Sequence, residues 1–334
     1  MTTEVKKHKK KLLCSGKLLL KMFICEMIIL TALLATVAIV MPAKADDPPK
    51  TPRVEVLPNE GPIGTTVYVR IWDYAPNKQV IVIFGTGTTI TPGTAIVAKE
   101  ITDAFGYAIV SFPIDSFAGG RYVVLVDDGT NKAIASFKIT PKITLSETGG
   151  FVGDTVTVSG NGFSANRPIS IFLDDTKIAS GETNDTGKFA DVQFTLPAAT
   201  RGDHKIKVQD TDANSATAVY SIRQKMTIKP TSAAVGAEIA VSGSGFQPKD
   251  VTIYFDDKDV TLVRADATGN FTATIKVPPC ADGVHKIKAD DGSNRAYSDI
   301  SVVSSILISP NHGHIGMSVG ILGAGFRPGF PITI

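Results

Sequence analysis

Apolar and polar residues alternate in short runs along the chain after residue 46. The clearest runs fall at residues 155–159, 169–173, 189–196, 205–208 and 216–222, and a matching series follows at 238–242, 251–255, 271–277, 286–288 and 297–302. Gly, Asn, Asp and Pro separate the runs, which is typical of short strands joined by tight turns. No stretch past residue 46 keeps helical spacing over three turns, so the pattern predicts an all-β protein.

One phrase, which begins Val-Gly and ends Gly-x-Gly-Phe, recurs and divides the chain. Its copies are Val152-Gly153 with Gly160-Asn161-Gly162-Phe163, Val235-Gly236 with Gly243-Ser244-Gly245-Phe246, Ile315-Gly316 with Gly323-Ala324-Gly325-Phe326, and a degraded Ile63-Gly64 with Trp72-Asp73-Tyr74. The leading glycines are 89, 83 and 80 residues apart, and this regular spacing indicates tandem units. The predicted boundaries are 53–141, 142–224, 225–304 and an incomplete unit at 305–334.

Each complete unit has about 80 residues and six or seven predicted strands. Such a set predicts two antiparallel sheets packed face to face, because a parallel sheet would need helical crossovers that the pattern lacks. The 30 residues of the last unit are too few to bury a sandwich core. We therefore expect the sequence to be a fragment, with further repeats, an anchor or a catalytic domain beyond residue 334.

The recurring glycines and aromatics have a predicted structural role. We expect the glycines to permit a positive-φ bend or a bulge, and the following aromatic to plug the end of the sandwich. A second phrase, Asp or Asn followed by Gly three residues later, predicts a turn that leads into the next strand. The residues assigned to these roles are Gly153, Gly160, Gly162, Phe163, Gly187, Gly236, Gly243, Gly245, Phe246 and Gly269.

The N-terminus has a different composition. Residues 1–45 contain eight Lys, then an apolar run at 27–41 and the sequence Ala43-Lys44-Ala45. This predicts a helical secretory signal peptide that is cleaved after Ala45, followed by a proline-rich linker at 46–52. An uncleaved anchor is the alternative, although about 15 apolar residues fall short of the roughly 20 that span a bilayer. We expect a secreted or cell-surface protein that touches membrane only through this segment, if it is uncleaved.

The net charge and the cysteine content limit the classes of partner and the disulfides that the chain can have. Residues 1–45 hold eight of the 34 basic and two of the 32 acidic side chains, so the remainder has 26 against 30 and a net charge of −4. A mildly acidic surface argues against nucleic acid as a partner. Cys280 is alone after the leader, which excludes an intramolecular disulfide there; it is a turn residue or a thiol for intermolecular pairing.

The phrases together resemble a known family. Val-Gly-x-x-Val-x-Val-x-Gly-x-Gly-Phe at 152–163, Val-x-Ile-x-Phe-Asp-Asp at 251–257 and Asp-x-x-Gly-x-Phe at 266–271 are similar to the immunoglobulin-like IPT/TIG repeats of prokaryotic surface proteins. The resemblance is best in residues 142–304 and covers most of the chain after the leader. It implies tandem immunoglobulin-like β-sandwiches displayed outside the cell and implies little about a ligand.

Several groups of side chains are candidate sites. Paired carboxylates in predicted turns suggest a calcium site or ordinary hairpin turns, with the candidates Asp256, Asp257, Asp259, Asp290 and Asp291. His204 and His285 stand at the same place in successive units, and His312 and His314 lie two apart. Arg201-Gly202-Asp203 spells an integrin-binding tripeptide, but sister units fill the same turn with other residues.

The first unit contains a further candidate site, formed by aromatic residues. Tyr68, Arg70, Trp72 and Tyr74 alternate on one predicted face, which favours a core role for some of them over a sugar-binding platform. No Gly-x-Ser-x-Gly elbow occurs, and we assign no catalytic or cofactor-binding residue.

The leading hypothesis is an exported, non-catalytic surface protein whose repeats serve as spacer, adhesion or interaction modules. Other surface proteins or polysaccharide are the partners considered. The alternative is an accessory region of a secreted carbohydrate-active enzyme whose catalytic domain follows residue 334.

Overall fold

The computed structural model describes residues 50–87 and 96–334 of the 334-residue chain. The predicted signal helix at 1–45, and most of the linker at 46–52, lie outside these residues. Regular structure in the described ranges consists of 26 β-strands and no helix, which confirms the all-β class. Within those ranges nothing forms a helix long and apolar enough to cross a membrane.

Three successive groups of eight strands each form one sandwich in the described part of the chain. Sandwich 1 contains β1 Arg53–Leu57, β2 Glu60–Gly61, β3 Thr66–Trp72, β4 Gln79–Gly85, β5 Ile96–Ile101, β6 Ala108–Pro113, β7 Gly120–Asp127 and β8 Lys132–Ile139. Sandwich 2 contains β9 Lys142–Leu145, β10 Gly149–Phe151, β11 Thr155–Asn161, β12 Pro168–Leu173, β13 Thr176–Glu182, β14 Phe189–Thr195, β15 Gly202–Asp210 and β16 Ser215–Arg223. Sandwich 3 contains β17 Lys225–Lys229, β18 Ser232–Ala234, β19 Glu238–Ser244, β20 Asp250–Phe255, β21 Lys258–Arg264, β22 Phe271–Lys276, β23 Gly283–Asp290 and β24 Arg295–Val303.

The three sandwiches share one topology. A three-stranded sheet, ordered β1-β3-β6 in sandwich 1, faces a five-stranded sheet ordered β2-β8-β7-β4-β5. Sandwiches 2 and 3 repeat this order as β9-β11-β14 with β10-β16-β15-β12-β13, and as β17-β19-β22 with β18-β24-β23-β20-β21. Repetition of the sequence phrase therefore corresponds to repetition of the whole strand order.

Two details differ from the sequence-based expectation. The short strands β2, β10 and β18 pair in parallel with β8, β16 and β24, so the sheets are not wholly antiparallel. The chain leaves the first strand of the small sheet, crosses to the edge of the large one and runs beside the last strand, which needs no helical crossover. The predicted runs include no counterpart of the edge strands β13 and β21, because both alternate only weakly between buried and exposed residues.

Inward residues of both sheets form a separate apolar core in each sandwich. Phe163 and Phe246 are fully buried, and Tyr74 takes the equivalent place in sandwich 1. Tyr68 and Trp72 lie on the outward face of β3, so the core role expected for some of these aromatics is taken by Tyr74. Tyr74 nevertheless points inward, because Asp73 has a φ of 62° and reverses the alternation.

The fourth unit is described as a two-stranded sheet of β25 Ser305–Ser309 and β26 Gly320–Ala324. Ile306, Ile308 and Ile321 are 59%, 49% and 44% exposed there. Their counterparts in sandwich 3, which are Met226, Ile228 and Val241, are buried. Burial of these inward positions thus requires the second sheet.

Candidate functional site at the junctions between sandwiches

The connections between successive sandwiches are very short. Thr140 and Pro141 join β8 to β9, while Gln224 alone joins β16 to β17 and Ser304 alone joins β24 to β25. None of these residues is glycine, and Pro141 has a fixed φ. A connection this short brings the loops of one sandwich against the end of the next.

The second glycine of each Gly-x-Gly-Phe phrase packs against such a connection. A Cβ on Gly162 would come within 2.5 Å of the carbonyl oxygen of Thr140, and one on Gly245 within 2.7 Å of the carbonyl oxygen of Arg223. Both glycines also have a φ of 72°, which disfavours a side chain. This position therefore serves the contact between sandwiches as well as the bend.

The first glycine of the phrase, for which a positive-φ bend or a bulge was expected, does not have a positive φ. Gly160 and Gly243 lie within β11 and β19, and a Cβ on either would run into the ring of Phe189 or Phe271. A bulge occurs beside Gly160, whereas β19 keeps its register through Gly243. Absence of a side chain at this position makes room for an aromatic ring. The other glycines assigned by sequence have positive φ, namely Gly153 (90°), Gly187 (68°), Gly236 (82°) and Gly269 (78°).

The two recurring phrases meet in space. The backbone N–H of Phe163 donates to the carbonyl of Gly187 at 3.2 Å, and Phe246 donates to Gly269 at 3.0 Å. Ring centroids of Phe246 and Phe271 are 5.1 Å apart, with the rings nearly perpendicular. The aromatic plug is thus held by the turn that precedes the next strand.

A turn before β7, β15 and β23 contacts the following sandwich or unit, and we call residues 118–120, 200–202 and 281–283 the docking turns. The N–H of Gly119 donates to the carbonyl of Phe163 at 2.5 Å. Gln247 Nε2 donates to the carbonyl of Arg201 at 3.0 Å, and the Arg201 guanidinium contacts Asn294 Oδ1. Asp282 Oδ1 lies 3.6 Å from Arg327 Nε.

A buried carboxylate fixes the loop that receives the docking turn. Asp291 Oδ1 accepts the N–H groups of Ser293 and Asn294, each at 2.8 Å, and Oδ2 accepts that of Gln247 at 3.3 Å. Burial alone would raise the pKa of Asp291, but these hydrogen bonds outweigh it and the pKa lies below its ordinary value. In sandwich 2, Asp210 accepts the N–H of Ser164 at 3.0 Å in the same way.

His204 and His285 each bridge a docking turn to the hairpin between two strands of the large sheet. His204 Nδ1 lies 2.8 Å from Asp174 Oδ2, and its Nε2 lies 2.7 Å from the carbonyl oxygen of Thr200. For His285 the distances are 2.5 Å to Asp256 Oδ2 and 2.9 Å to the carbonyl oxygen of Ala281. We call these contacts the histidine bridges.

Burial would lower the pKa of His285, but the hydrogen bonds and charge of Asp256 and the Ala281 carbonyl raise it above 6.5. Burial would likewise raise the pKa of Asp256, and its bonds to His285 and the N–H of Lys286 lower it instead. The pKa of Asp174 is lowered for the same reasons by His204 and Lys205.

The calcium candidates do not come together as ligands. Within residues 50–87 and 96–334, no three side chains of His, Cys, Asp or Glu are grouped to hold a metal ion. Asp290 accepts the N–H of Gly292 and pairs with Arg295, while Asp257 lies 3.5 Å from Lys288. Asp259 is an exposed residue in β21. Apart from Asp259, each of these carboxylates already contacts a backbone donor or a charged side chain of sandwich 3.

The integrin-like tripeptide is engaged within the chain. Arg201 contacts sandwich 3 as described, and Asp203 accepts a hydrogen bond from Ser221. His312 and His314 are exposed on the fourth unit, where His312 Nδ1 lies 2.7 Å from Asn311 Oδ1. Cys280 is partly buried against the core of sandwich 3, and burial, with the charge of Asp256, raises the pKa of its thiol.

Comparison with known proteins agrees with this architecture. The model of the family described as archaeal bacterial Ig-like domain matches residues 150–226, which include most of sandwich 2. The chain carries immunoglobulin-like repeats. No curated protein gave a match.

Solved structures match the chain at low overall similarity. A tetra-tandem repeat in the extending region of a large adhesion protein is 16% identical, with 78% of this chain and 77% of that one covered and a TM-score of 0.28. Invasin, a bacterial integrin-binding protein, is 15% identical, with 78% and 62% covered and a TM-score of 0.26. We carry no function over from likenesses of this degree.

Proposed function

We propose that the chain is a non-catalytic array of immunoglobulin-like repeats of the IPT/TIG type that acts as a stiff spacer and interaction module at the cell surface. The observation that carries the proposal is the recurrence of one junction design between the sandwiches. The basic and apolar leader at 1–45 supports export, and the phrases shared among the units support the IPT/TIG assignment. Surface proteins or polysaccharide are the partner classes that this proposal retains.

The contacts at the junction between sandwiches 2 and 3 support the stiffness in this proposal. Separate domains of one chain ordinarily move relative to each other unless their interface restricts them. Here a single linker residue, Gln224, donates from Nε2 to the carbonyl of Arg295 at 3.0 Å. The contacts of Gly245, Gln247 and Arg201 surround that linker. Together they restrict rotation about the few backbone bonds that could reorient sandwich 3.

A distance measurement on the full chain tests the spacer role. Spin labels at Val219 in β16 and Leu262 in β21, both exposed, report across the junction between sandwiches 2 and 3. Cys14 and Cys25 are changed to Ser and Cys280 to Ala, so that only the labelled cysteines remain. We expect a narrow distance distribution from double electron–electron resonance.

Matched insertions identify the cause of a narrow distribution. A Gly-Ser-Gly-Ser insertion after Gln224 should broaden it, because a flexible linker replaces the direct connection. The same insertion after Asp212, in the exposed turn between β15 and β16, should leave it narrow. A broad distance distribution in the parent chain would overturn the spacer role. Hydrolysis of polysaccharide by the purified chain would overturn the proposal that the chain is non-catalytic.

A further inference from the structure

Both ring nitrogens of each bridging histidine face oxygen atoms that accept hydrogen bonds. Nδ1 of His204 faces the carboxylate of Asp174, and Nε2 faces the carbonyl of Thr200. An ionised carboxylate and a backbone carbonyl are acceptors only, whereas a neutral imidazole has a single N–H. The protonated imidazolium alone can donate to both. The same argument applies to His285 between Asp256 and Ala281.

Sandwich 1 has a different pair of residues at the equivalent positions. Tyr122 takes the place of the histidine, and its hydroxyl donates to the carbonyl of Ala118 at 2.9 Å, four residues before it as in the histidine bridges. Gly85 takes the place of the aspartate, as the pairing of β4 with β7 shows. The histidine and its carboxylate are therefore replaced together.

The ring at this position also packs in the same way in sandwiches 1 and 3. Tyr122 stacks on Phe84 with centroids 5.1 Å apart, and His285 stacks on Phe255 at 5.3 Å. Burial raises the pKa of Tyr122 above its ordinary value of 10.0, so this phenol remains a donor through the neutral range. Sandwich 1 thus holds its docking turn without a group that titrates near neutral pH.

The histidine bridges are next to the junction contacts. Thr200 precedes Arg201, whose carbonyl and guanidinium contact Gln247 and Asn294 of sandwich 3. Loss of the ring's bond to Thr200 would release one end of the docking turn that makes both contacts. Ala281 stands in the same relation to Asp282, which faces Arg327.

We infer that the junction after sandwich 2 is pH-dependent, being held by the imidazolium form of His204 and loosened when that ring becomes neutral, whereas the junction after sandwich 1 is not. His285 makes the contact between sandwich 3 and the fourth unit depend on pH in the same sense. This inference rests on the proposed spacer role and adds to it that acidity regulates the stiffness.

The direction of the pH dependence follows from the groups around each histidine bridge. His204 contacts Asp174, which Lys205 also contacts, and pairs with Tyr220 on the neighbouring strand. His285 contacts Asp256, which is also near Lys258, Lys286 and Cys280. The pKa of His285 is raised in the folded state, so its contribution is complete below about 6.5 and is lost as pH rises through the folded value. The pKa of Asp256 is lowered from 3.8, so its contribution is lost only when acid protonates it.

The test compares two junctions in the full chain. The pair Val219 and Leu262 spans the second junction, and Ile134 in β8 with Val219 spans the first. Distance distributions are recorded at about pH 5.5 and about pH 8.5, on either side of the ordinary histidine pKa of about 6.5. We expect the 219–262 distribution to lose its narrow form at the higher pH while the 134–219 distribution stays unchanged.

The matched variant is His204→Tyr, which gives sandwich 2 the ring found in sandwich 1. It should keep the 219–262 distribution the same at both pH values. A distribution narrow at both pH values in the parent chain overturns the pH inference and leaves the spacer role intact. A 219–262 distribution that is broad at both pH values overturns the spacer role. Equal broadening of the 219–262 and 134–219 distributions at the higher pH overturns the assignment of the pH dependence to His204.

Nitrogen-15 spectra of the histidine rings in the unaltered chain provide a test that needs no variant. We expect both ring nitrogens of His285, whose pKa is raised by Asp256 and the Ala281 carbonyl, to carry protons at about pH 6. A neutral ring at His285 under these conditions would overturn the inference.

Discussion

Gly245 lies against the carbonyl oxygen of Arg223, close enough that a Cβ would approach it to 2.7 Å. Arg223 ends sandwich 2, and Gly245 belongs to the recurring phrase of sandwich 3. The same relation joins Gly325 to the carbonyl oxygen of Val303, where the distance would be 3.0 Å. A glycine that looks from sequence like part of a turn is therefore also part of the junction between repeats.

Substitution of Gly245 by Ala should change the junction between sandwiches 2 and 3. The new methyl group would meet the Arg223 carbonyl, which can retreat only if the linker moves. We expect the 219–262 distance distribution to shift or broaden. Gly236→Ala is the matched control, because its φ of 82° imposes similar backbone strain while its Cβ would point into open space. An unchanged distribution in Gly245→Ala, or an equal change in both variants, would contradict this role.

Removal of the aromatic plug should destabilise one sandwich locally. Phe246→Ala leaves a cavity at a fully buried site and should lower the opening free energy of sandwich 3 by about 3–5 kcal/mol. Amide hydrogen exchange resolves this change sandwich by sandwich. Phe105→Ala removes the same ring from a site that is 80% exposed, and we expect a change within about 0.5 kcal/mol. Equal effects of the two substitutions would show that Phe246 is not a core residue.

Acid should weaken sandwich 3 through Asp291. Because its pKa is lowered from 3.8 on folding, its contribution is present above that value and is lost as pH falls through the folded pKa. Asp291→Asn should therefore lower the melting temperature near neutral pH and flatten its fall below about pH 4. Asp185→Asn, at an exposed turn position, is the control. A variant with the acid profile of the parent chain would refute this assignment.

Calcium should leave the stability of sandwiches 2 and 3 unchanged. A ligand that binds only the folded state raises the melting temperature, but the carboxylates of Asp256, Asp290 and Asp291 already accept hydrogen bonds from their own turns and neighbours. We expect equal melting temperatures with calcium and with chelator. A rise of several degrees with calcium, abolished by Asp259→Asn, would restore the metal hypothesis.

Periodicity predicted the all-β class because inward and outward residues alternate strictly along central strands such as β11 and β19. The same periodicity did not predict the edge strands β13 and β21. β13 carries Lys177 and Glu182 on a largely exposed ribbon, so hydrophobic alternation hardly marks it. The parallel pairing of β10 with β16 involves three residues and is decided by sheet packing rather than by local pattern.

The contacts at the junctions between sandwiches could not be predicted from sequence patterns. The repeats show that His204 and His285 occupy equivalent positions. They do not show that Asp174, 30 residues before His204, contacts that histidine, because the contact depends on the pairing of β12 with β15. The replacement of histidine by Tyr122 and of aspartate by Gly85 provides a signal only after the strands are aligned. An alignment of the repeats by strand register, instead of by their recurring sequence phrases, is needed to recognise the histidine and aspartate as a pair.

Residual dipolar couplings of the deuterated full chain test most directly whether the junction fixes one sandwich on the next. Couplings from the strands of sandwiches 2 and 3 are fitted separately, and each set yields an alignment tensor. We predict tensors of equal magnitude and a common orientation at about pH 5.5, below the ordinary histidine pKa. Tensors of clearly different magnitude would mean that the two sandwiches reorient independently, which would contradict the account.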